Sequence, residues 1–259
     1  EQFVVYMRNL VTGQFGISTT FRRPVFDVIH ERLLNSLMLL SIASVLVIAL
    51  GVVCGVVAAT HRGSRLDKGL VVSSMVGWSF PTFWTGLLLI IVFGAYLRMF
   101  PISGLTTPGI RYISSWDKAA DYLKHLFLPS CTLVIVDIAQ FSLVTRGALV
   151  DVFTEDYILT ARGKGLSSNA VLMRHALPNA MLPIITTTAI YISMLVGGAI
   201  EVETVFSFPG MGRLMYEAVL LRDYPILEAS FFLFASFTVF ANFFTDMLYM
   251  IIDPRVKSL

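Results

Sequence analysis

Charge is what this chain has least of. Only 14% of its 259 residues are Asp, Glu, Lys or Arg, where a soluble domain carries roughly 25%. Hydrophobic residues make up 56% and the mean hydropathy is +0.77. These values exclude a large soluble core and indicate an integral membrane protein. The net charge of +2 is too small to suggest nucleic acid as a partner. No basic run interleaved with aromatics is present either. The two cysteines, Cys54 and Cys131, lie in or beside apolar runs with no CxxC pair, so neither a disulfide framework nor a metal site is expected. The four histidines, His30, His61, His125 and His175, are scattered and never sit at i, i+4. The chain begins at Glu1 without the n-region and h-region of a signal peptide. We expect it to start downstream of the natural N-terminus.

Five uncharged or nearly uncharged runs stand out. A membrane helix needs roughly 20 mostly apolar residues. Leu33–Thr60, Gly69–Leu97 and Leu182–Ile200 carry no charge, Leu126–Thr145 carries only Asp137, and Ala229–Ile252 only Asp246. Barrel strands would be shorter and would alternate apolar with polar, so the expected fold is all-α with five visible membrane helices. The first two runs exceed a bilayer's need, which allows tilt or ends in water. Residues 1–32 mix aromatics with Arg8, Arg22, Arg23, Asp27, Glu31 and Arg32. They read as an amphipathic surface segment, followed by a membrane domain over 33–259. Gly51 to Gly55 and on to Ala59 is a small-xxx-small pattern. It either lets a neighbouring helix approach closely or is chance glycine.

Lys and Arg set the orientation. Residues 61–68, 146–175 and 255–257 are densely basic, with Arg62, Arg65, Lys68, Arg146, Arg162, Lys164, Arg174, Arg255 and Lys257. That side is expected to be cytoplasmic, and residues 1–32, 98–124 and 203–228 extracytoplasmic.

The stretch Thr160–Asn169, TARGKGLSSN, interrupts this hydrocarbon. The surrounding loop, 151–178, reads as two short helices with a hinge. The first is expected over about Phe153–Arg162, with Glu155 and Asp156 in its first turn and Arg162 and Lys164 near its end, matching the helix dipole. Phe153, Tyr157 and Ala161 are spaced to share a face. Gly163 and Gly165 both suit the left-handed stop of a helix, and Ser167 or Ser168 can cap the next one. In that second helix Leu166, Ala170, Met173 and Leu177 form a stripe that ends at Pro178. The pair either lies in the membrane interface or docks another protein.

Motifs along nearly the whole chain bear on that choice. Ala161, Gly165 and Leu177-Pro178 are spaced as in the EAA loop of the inner-membrane subunits of binding-protein-dependent ABC importers. EDYILTARGKGLS, RHALPNAMLP, SFPTFW (79–84), VETVFSFPGMGRL (202–214), RDYP (222–225), DMLYMIIDPR (246–255) and GQFGIS (13–18) occur in order. Together they resemble the dipeptide, oligopeptide and nickel permease family. Leu159 and Thr160 stand where the general motif has Glu and Ala, and His175 where it has Ile. Family members carry a further membrane helix before the Gln2 region, so a six-helix type I permease shows five here.

The resemblance implies a multi-pass bacterial inner-membrane subunit that pairs with a second, homologous permease subunit. It also implies two cytoplasmic ATPase subunits and an extracytoplasmic solute-binding protein. The substrate class would be di- or oligopeptides, with nickel, glutathione or oligosaccharide also carried in the family. The coupling helix would fall on Glu155, Asp156, Tyr157, Thr160, Ala161, Arg162 and Gly165, the glycine serving backbone geometry. No catalytic residue and no cofactor of its own are implied; ATP and Mg would sit on the partners. The sequence agrees, since a P-loop needs GxxxxGK[ST], and Gly163-Lys164 is preceded by Ile158 at the leading glycine position and followed by Gly165. No HExxH is present.

An ionisable residue inside a span is a functional hypothesis by default. Asp137, with Gln140 nearby, either lines the pathway and meets a peptide amine or only holds packing. Asp246 matches a family position and, with Asn242, is assigned to packing or an inner gate. Thr186, Thr187 and Thr188 are expected to bond back to their own helix. Trp78 and Trp84 flank Pro81, where a kink would widen the cavity; ordinary packing is the preferred reading. On the extracytoplasmic side Glu203, Gly210, Arg213 and Asp223 are candidate contacts for the binding protein. An ion-coupled secondary transporter, the competing class, would need paired intramembrane charges and inverted repeats. The spans hold only Asp137 and Asp246.

Overall fold

The structure is a computed structural model that describes residues 4, 8, 10, 12–195 and 199–252. The side chains of 193–195, 245, 246 and 248–252 lie outside the described residues. Those residues are helical apart from loops and one isolated bridge, Ile17 to Pro24. The helices are α1 (Val25–Thr60), α2 (Arg65–Ser79), α3 (Thr82–Leu89, running into a π-helical turn Ile90–Tyr96) and α4 (Ser115–Val152). Then come α5 (Asp156–Gly163) and α6 (Ser168–Val171, running into a second π turn Leu172–Ala176). The remaining helices are α7 (Leu177–Leu195), α8 (Ile200–Val205), α9 (Met211–Leu221) and α10 (Tyr224–Ile252).

Among the described residues three helices are long and apolar enough to cross a membrane: α1, α4 and Tyr224–Phe244 of α10. The pair α2 and α3 adds a fourth if it is counted as one broken span. The expected run Leu182–Ile200 falls on α7 and on residues 196–198, which lie outside the described residues. At 1.5 Å per residue α1 is about 54 Å long. It begins at Val25, inside the segment expected to be surface, and ends at Thr60 as the apolar run does.

Local chemistry explains the breaks. Ser64 accepts from Asp67 N at 3.2 Å while Asp67 Oδ2 accepts from Gly63 N at 2.8 Å, a reciprocal cap that starts α2. Pro81 disfavours the helical conformation in the residue before it. Phe80 is accordingly extended, φ −85° and ψ 138°, and the helix stops at Ser79. Thr187 and Thr188 donate to the carbonyls of Pro183 and Ile184 at 2.9 and 2.8 Å, as expected.

The chain divides into two compact units. The first comprises Glu1–Ala43, Thr82–Leu133 and Met194–Ala241. In it Leu39 and Ala43 of α1 pack with Leu126 and Leu128 of α4 and with Phe206 and Phe208 after α8. A second cluster joins Val25 and Ile29 to Leu214 of α9 and Ile226 of α10. The loop before α4 is fastened by Asp121, whose carboxylate accepts from Thr107 N at 2.8 Å and from the Tyr112 hydroxyl at 2.6 Å.

The second unit comprises Ser44–Pro81, Val134–Ser193 and Asn242–Leu259. Here the glycine stripe of α1 acts as a close-packing surface. A Cβ on Gly51 would lie 2.5 Å from Phe141 Cβ, and one on Gly55 would lie 2.5 Å from Thr145 Cβ and 2.6 Å from Ser142 O. Gly77 of α2 meets the Ile135 carbonyl in the same way, at 2.6 Å. Small residues thus let helix backbones touch, as membrane packing without a hydrophobic driving force requires.

Candidate functional site

TARGKGLSSN closes α5 and opens α6. Gly165 has φ +80°, the left-handed conformation that an L side chain adopts only with strain. Its N–H donates to Arg162 O at 2.9 Å, and Leu166 N donates to Ala161 O at 3.4 Å. These are the two bonds of a Schellman stop. Gly163 is an ordinary last helical residue, so the left-handed stop expected at both glycines is made by Gly165 alone. Ser167 caps α6 by accepting from Ala170 N at 3.3 Å.

Phe153 stays outside α5. The chain leaves α4 through a turn in which Thr154 Oγ1 donates to Asp151 O at 2.6 Å. Glu155 is the N-cap position and Asp156 opens the helix. The expected shared face of Phe153, Tyr157 and Ala161 is replaced by Ile158, fully buried, and Ala161, 5% exposed. Both pack with Ala59 of α1 and Leu149 of α4. Starting the helix three residues later rotates Tyr157 outward, to 41% exposed. The stripe Leu166–Ala170–Met173–Leu177 is likewise displaced, because Leu172–Ala176 is a π turn. Its wider repeat buries Val171, Ala176 and Ala180 and leaves Met173 exposed.

Of the residues matched to a coupling helix, Glu155, Asp156, Tyr157, Thr160, Arg162 and Gly165 are exposed. Ala161 instead seats α5 on its own chain. Leu159, 56% exposed, belongs to the same outward surface and escaped the sequence reading.

Beneath the loop Arg146 of α4 grips Asp67 of α2. Nε donates to Oδ1 at 2.6 Å and Nη2 to Oδ2 at 2.9 Å. Asp67 lies in the basic connection rather than in an apolar run. The Arg146 hydrogen bonds, aided by the Gly63 N–H, hold its carboxyl down at about 2.

Asp137 is half-buried, and Tyr191 of α7 donates to its Oδ2 at 2.9 Å. The Tyr191 ring stands edge-on to Phe141, centroids 5.3 Å apart. Gln140, on the same helix, is exposed. The side chain of Asp246 lies outside the described residues.

The candidate residues of 203–223 lie deeper than their polarity suggests. Glu203 is fully buried: Ser36 donates to Oε1 and Arg213 N to Oε2 at 3.0 Å. Burial pushes its carboxyl up against those bonds. A Cβ on Gly210 would strike that carboxylate, so the turn needs glycine. Asp223 is also fully buried and accepts from Ser18 Oγ, from Thr20 N at 2.9 Å and from Thr19 N at 3.4 Å. Burial works to raise its carboxyl, but these donors outweigh it and leave it lowered. Arg213 is partly exposed, paired with Glu217 at 2.7 Å. Glu203, Gly210 and Asp223 thus bind the chain to itself. The exposed side chains of the segment are Tyr216, Val219, Leu220, Leu221 and Arg222.

The oligopeptide transport system permease protein AppB of Bacillus subtilis (strain 168) is 36% identical over 257 residues, 99% of this chain and 80% of that protein. The glutathione transport system permease protein GsiC of Escherichia coli (strain K12) is 38% identical over 257 residues, 99% of this chain and 79% of that protein. The di/tripeptide transport system permease protein DppB of Pseudomonas aeruginosa (strain UCBPP-PA14) is 36% identical over 273 residues, with 99% and 80% covered. In fold the chain is similar to the inward-facing MetNI methionine ABC transporter, TM-score 0.69 at 14% identity, covering 87% of this chain and 96% of that one. An amino acid ABC transporter gives TM-score 0.56 at 15% identity, covering 86% and 92%. The model of the family described as "Binding-protein-dependent transport system inner membrane component" matches residues 51–258. With the motifs, the apolar helices and the relatives in agreement, the chain belongs to that family of inner-membrane transport components.

Proposed function

We propose that this chain is the permease subunit of an ATP-driven importer of peptides and forms half of the translocation pathway with a second, homologous subunit. The observation that carries the proposal is the α5–α6 loop. A short helix is seated on the chain by Ile158 and Ala161 and presents Glu155, Asp156, Tyr157, Leu159, Thr160 and Arg162 to the outside. A rigid, polar-edged helix held by its own buried face suits docking into a partner better than lying in lipid. Lipid would draw Lys and Arg to one face and bulky anchors to the other.

Two ATPase subunits would take this helix. Their closure around ATP and Mg would move the bundle through α5, while the present chain hydrolyses nothing. On this reading five membrane helices are present, with loop 151–178 and the C-terminus cytoplasmic and residues 1–32 extracytoplasmic. The membrane domain is 33–259. The solute-binding protein would then meet the exposed face of α9, with Arg213 at its margin. Asp137, Gln140 and Asp246 are assigned to the pathway. Peptide as the substrate class is supported by the names of the relatives, glutathione being itself a peptide.

Co-purification with the ATPase subunits, followed by ATPase assays with binding protein and substrate, tests the proposal. Gly165→Pro removes the left-handed stop and the Gly165 N–H donor. It is expected to abolish coupling while the chain still inserts. Intact assembly and transport in this variant, or after deletion of 155–165, overturns the coupling assignment.

A further inference from the structure

A cleft of about 360 Å³ opens between the end of α1 and the α5–α6 loop. Its charged lining residues are Arg62 and Arg162; none is acidic. Neither guanidinium makes a carboxylate ion pair among the described residues, although three arginines form such pairs elsewhere. Arg162 instead lies over the Phe153 ring, 5.8 Å from its centroid. Ser168 adds a hydroxyl, and Phe153 and Leu172 give the cleft an apolar wall. Its height follows from the sequence. No charge occurs from Leu33 to Thr60, and Arg62 is the first Lys or Arg after that run. The cleft therefore stands at the polar end of the apolar run of α1, which is the headgroup side if that end meets the membrane surface.

We propose that this cleft holds the phosphate of an anionic membrane phospholipid, with the two guanidinium groups on the phosphate and the acyl end toward Phe153 and Leu172. The inference rests on α1 crossing the membrane. No carboxylate lines the cleft to offset its two cations, although Asp67 lies within electrostatic reach of Arg62; a phosphate oxygen set would take both through charge-assisted hydrogen bonds. The apolar wall favours a lipid over a soluble phosphate. Basic pockets beside membrane helices attract anionic headgroups, at about 1 kcal/mol for each Lys or Arg near the surface.

The test uses the whole transporter in vesicles of phosphatidylglycerol and phosphatidylcholine, with retained lipid counted by native mass spectrometry. Arg62 is the residue to vary, because Arg162 also belongs to the proposed ATPase contact. Wild type is expected to retain phosphatidylglycerol over phosphatidylcholine. Arg62→Gln should weaken that retention roughly fivefold, and Arg65→Gln, an exposed arginine outside the cleft, should leave it unchanged. Equal retention in Arg62→Gln, or equal loss in Arg65→Gln, overturns the site. Displacement of the lipid by inorganic phosphate overturns the lipid as its occupant. ATPase co-purification is read in the same samples. Its failure in wild type counts against the coupling proposal and leaves the lipid count standing.

Discussion

Ser36 and Glu203 form one end of a relay that ties α1 to the turn before α9. Ser36 Oγ donates to Glu203 Oε1 at 2.5 Å and itself accepts from Met211 N at 2.7 Å. Asn35, next in line, donates to Pro209 O at 2.8 Å. The Glu203 carboxylate also takes the N–H groups of Gly212 and Arg213, so one buried side chain caps α9 from a neighbouring helix. Glu203→Ala leaves these donors without an acceptor. Each buried unsatisfied group costs about 1–3 kcal/mol, and a lower midpoint of thermal unfolding in detergent is the expected result.

The glycines divide into those that must stay small and those that need not. Gly55→Ala and Gly210→Ala are expected to destabilise by about 1–3 kcal/mol, because the new Cβ meets Thr145 and Ser142 in one case and Glu203 in the other. Gly147 lies within α4 with nothing inside 4 Å of its Cβ position. Gly147→Ala should stabilise by up to about 1 kcal/mol. A thermal melt series in one detergent ranks the three, and equal effects would contradict the packing described.

Asp67 gives an acid limb to stability. Its folded-state value of about 2 lies below the ordinary 3.8, so the ionised form is favoured by folding. The stabilisation is complete above about pH 5 and fades as pH falls through 4 toward 2. Asp67→Asn should therefore lower the unfolding midpoint at pH 7, with the gap to wild type narrowing below pH 4. A gap independent of pH would show that the Arg146 pair is not its source.

Neighbouring residues of α5 should separate fold from function. Ile158 is fully buried and Leu159 is 56% exposed. Ile158→Ala is expected to cost about 2–5 kcal/mol of stability. Leu159→Asp should leave stability within about 0.5 kcal/mol and still lower ATPase co-purification. The two readouts together distinguish a docking surface from a plain connecting loop.

Asp137 and Tyr191 offer a test of the pathway. Tyr191→Phe removes the hydroxyl donor from Asp137 while keeping the ring against Phe141. If the carboxylate serves transport, Asp137→Asn should reduce uptake with ATPase docking intact, and Tyr191→Phe should reduce it less. A packing role predicts lost stability in both variants and unchanged uptake in whatever protein survives.

Some of this was legible in the one-dimensional pattern. The end of α1 at Thr60, the Ser167 cap and the left-handed Gly165 all follow from local rules. They depend on residues within one helical turn of each other. The run Gly69–Leu97, expected as one span, is instead broken after Ser79. The register of the loop did not follow, since a late start of α5 and a π turn after α6 shifted both buried faces. Periodicity presumes a regular helix, and a wide turn resets it.

Composition and run length alone determined that the chain is helical and built for a membrane, because burying so much hydrocarbon with so little charge leaves few other solutions. Motif order alone pointed to the family. Tertiary structure decided the fate of the polar residues. Glu203 and Asp223 read as surface groups, yet their partners Ser36 and Ser18 stand far away along the chain. Only folding brings those donors to the carboxylates, and with them satisfied the charges could be buried. The same proximity, of α1 to α4 in the second unit, turned the glycines of GVVCG from open positions into contacts.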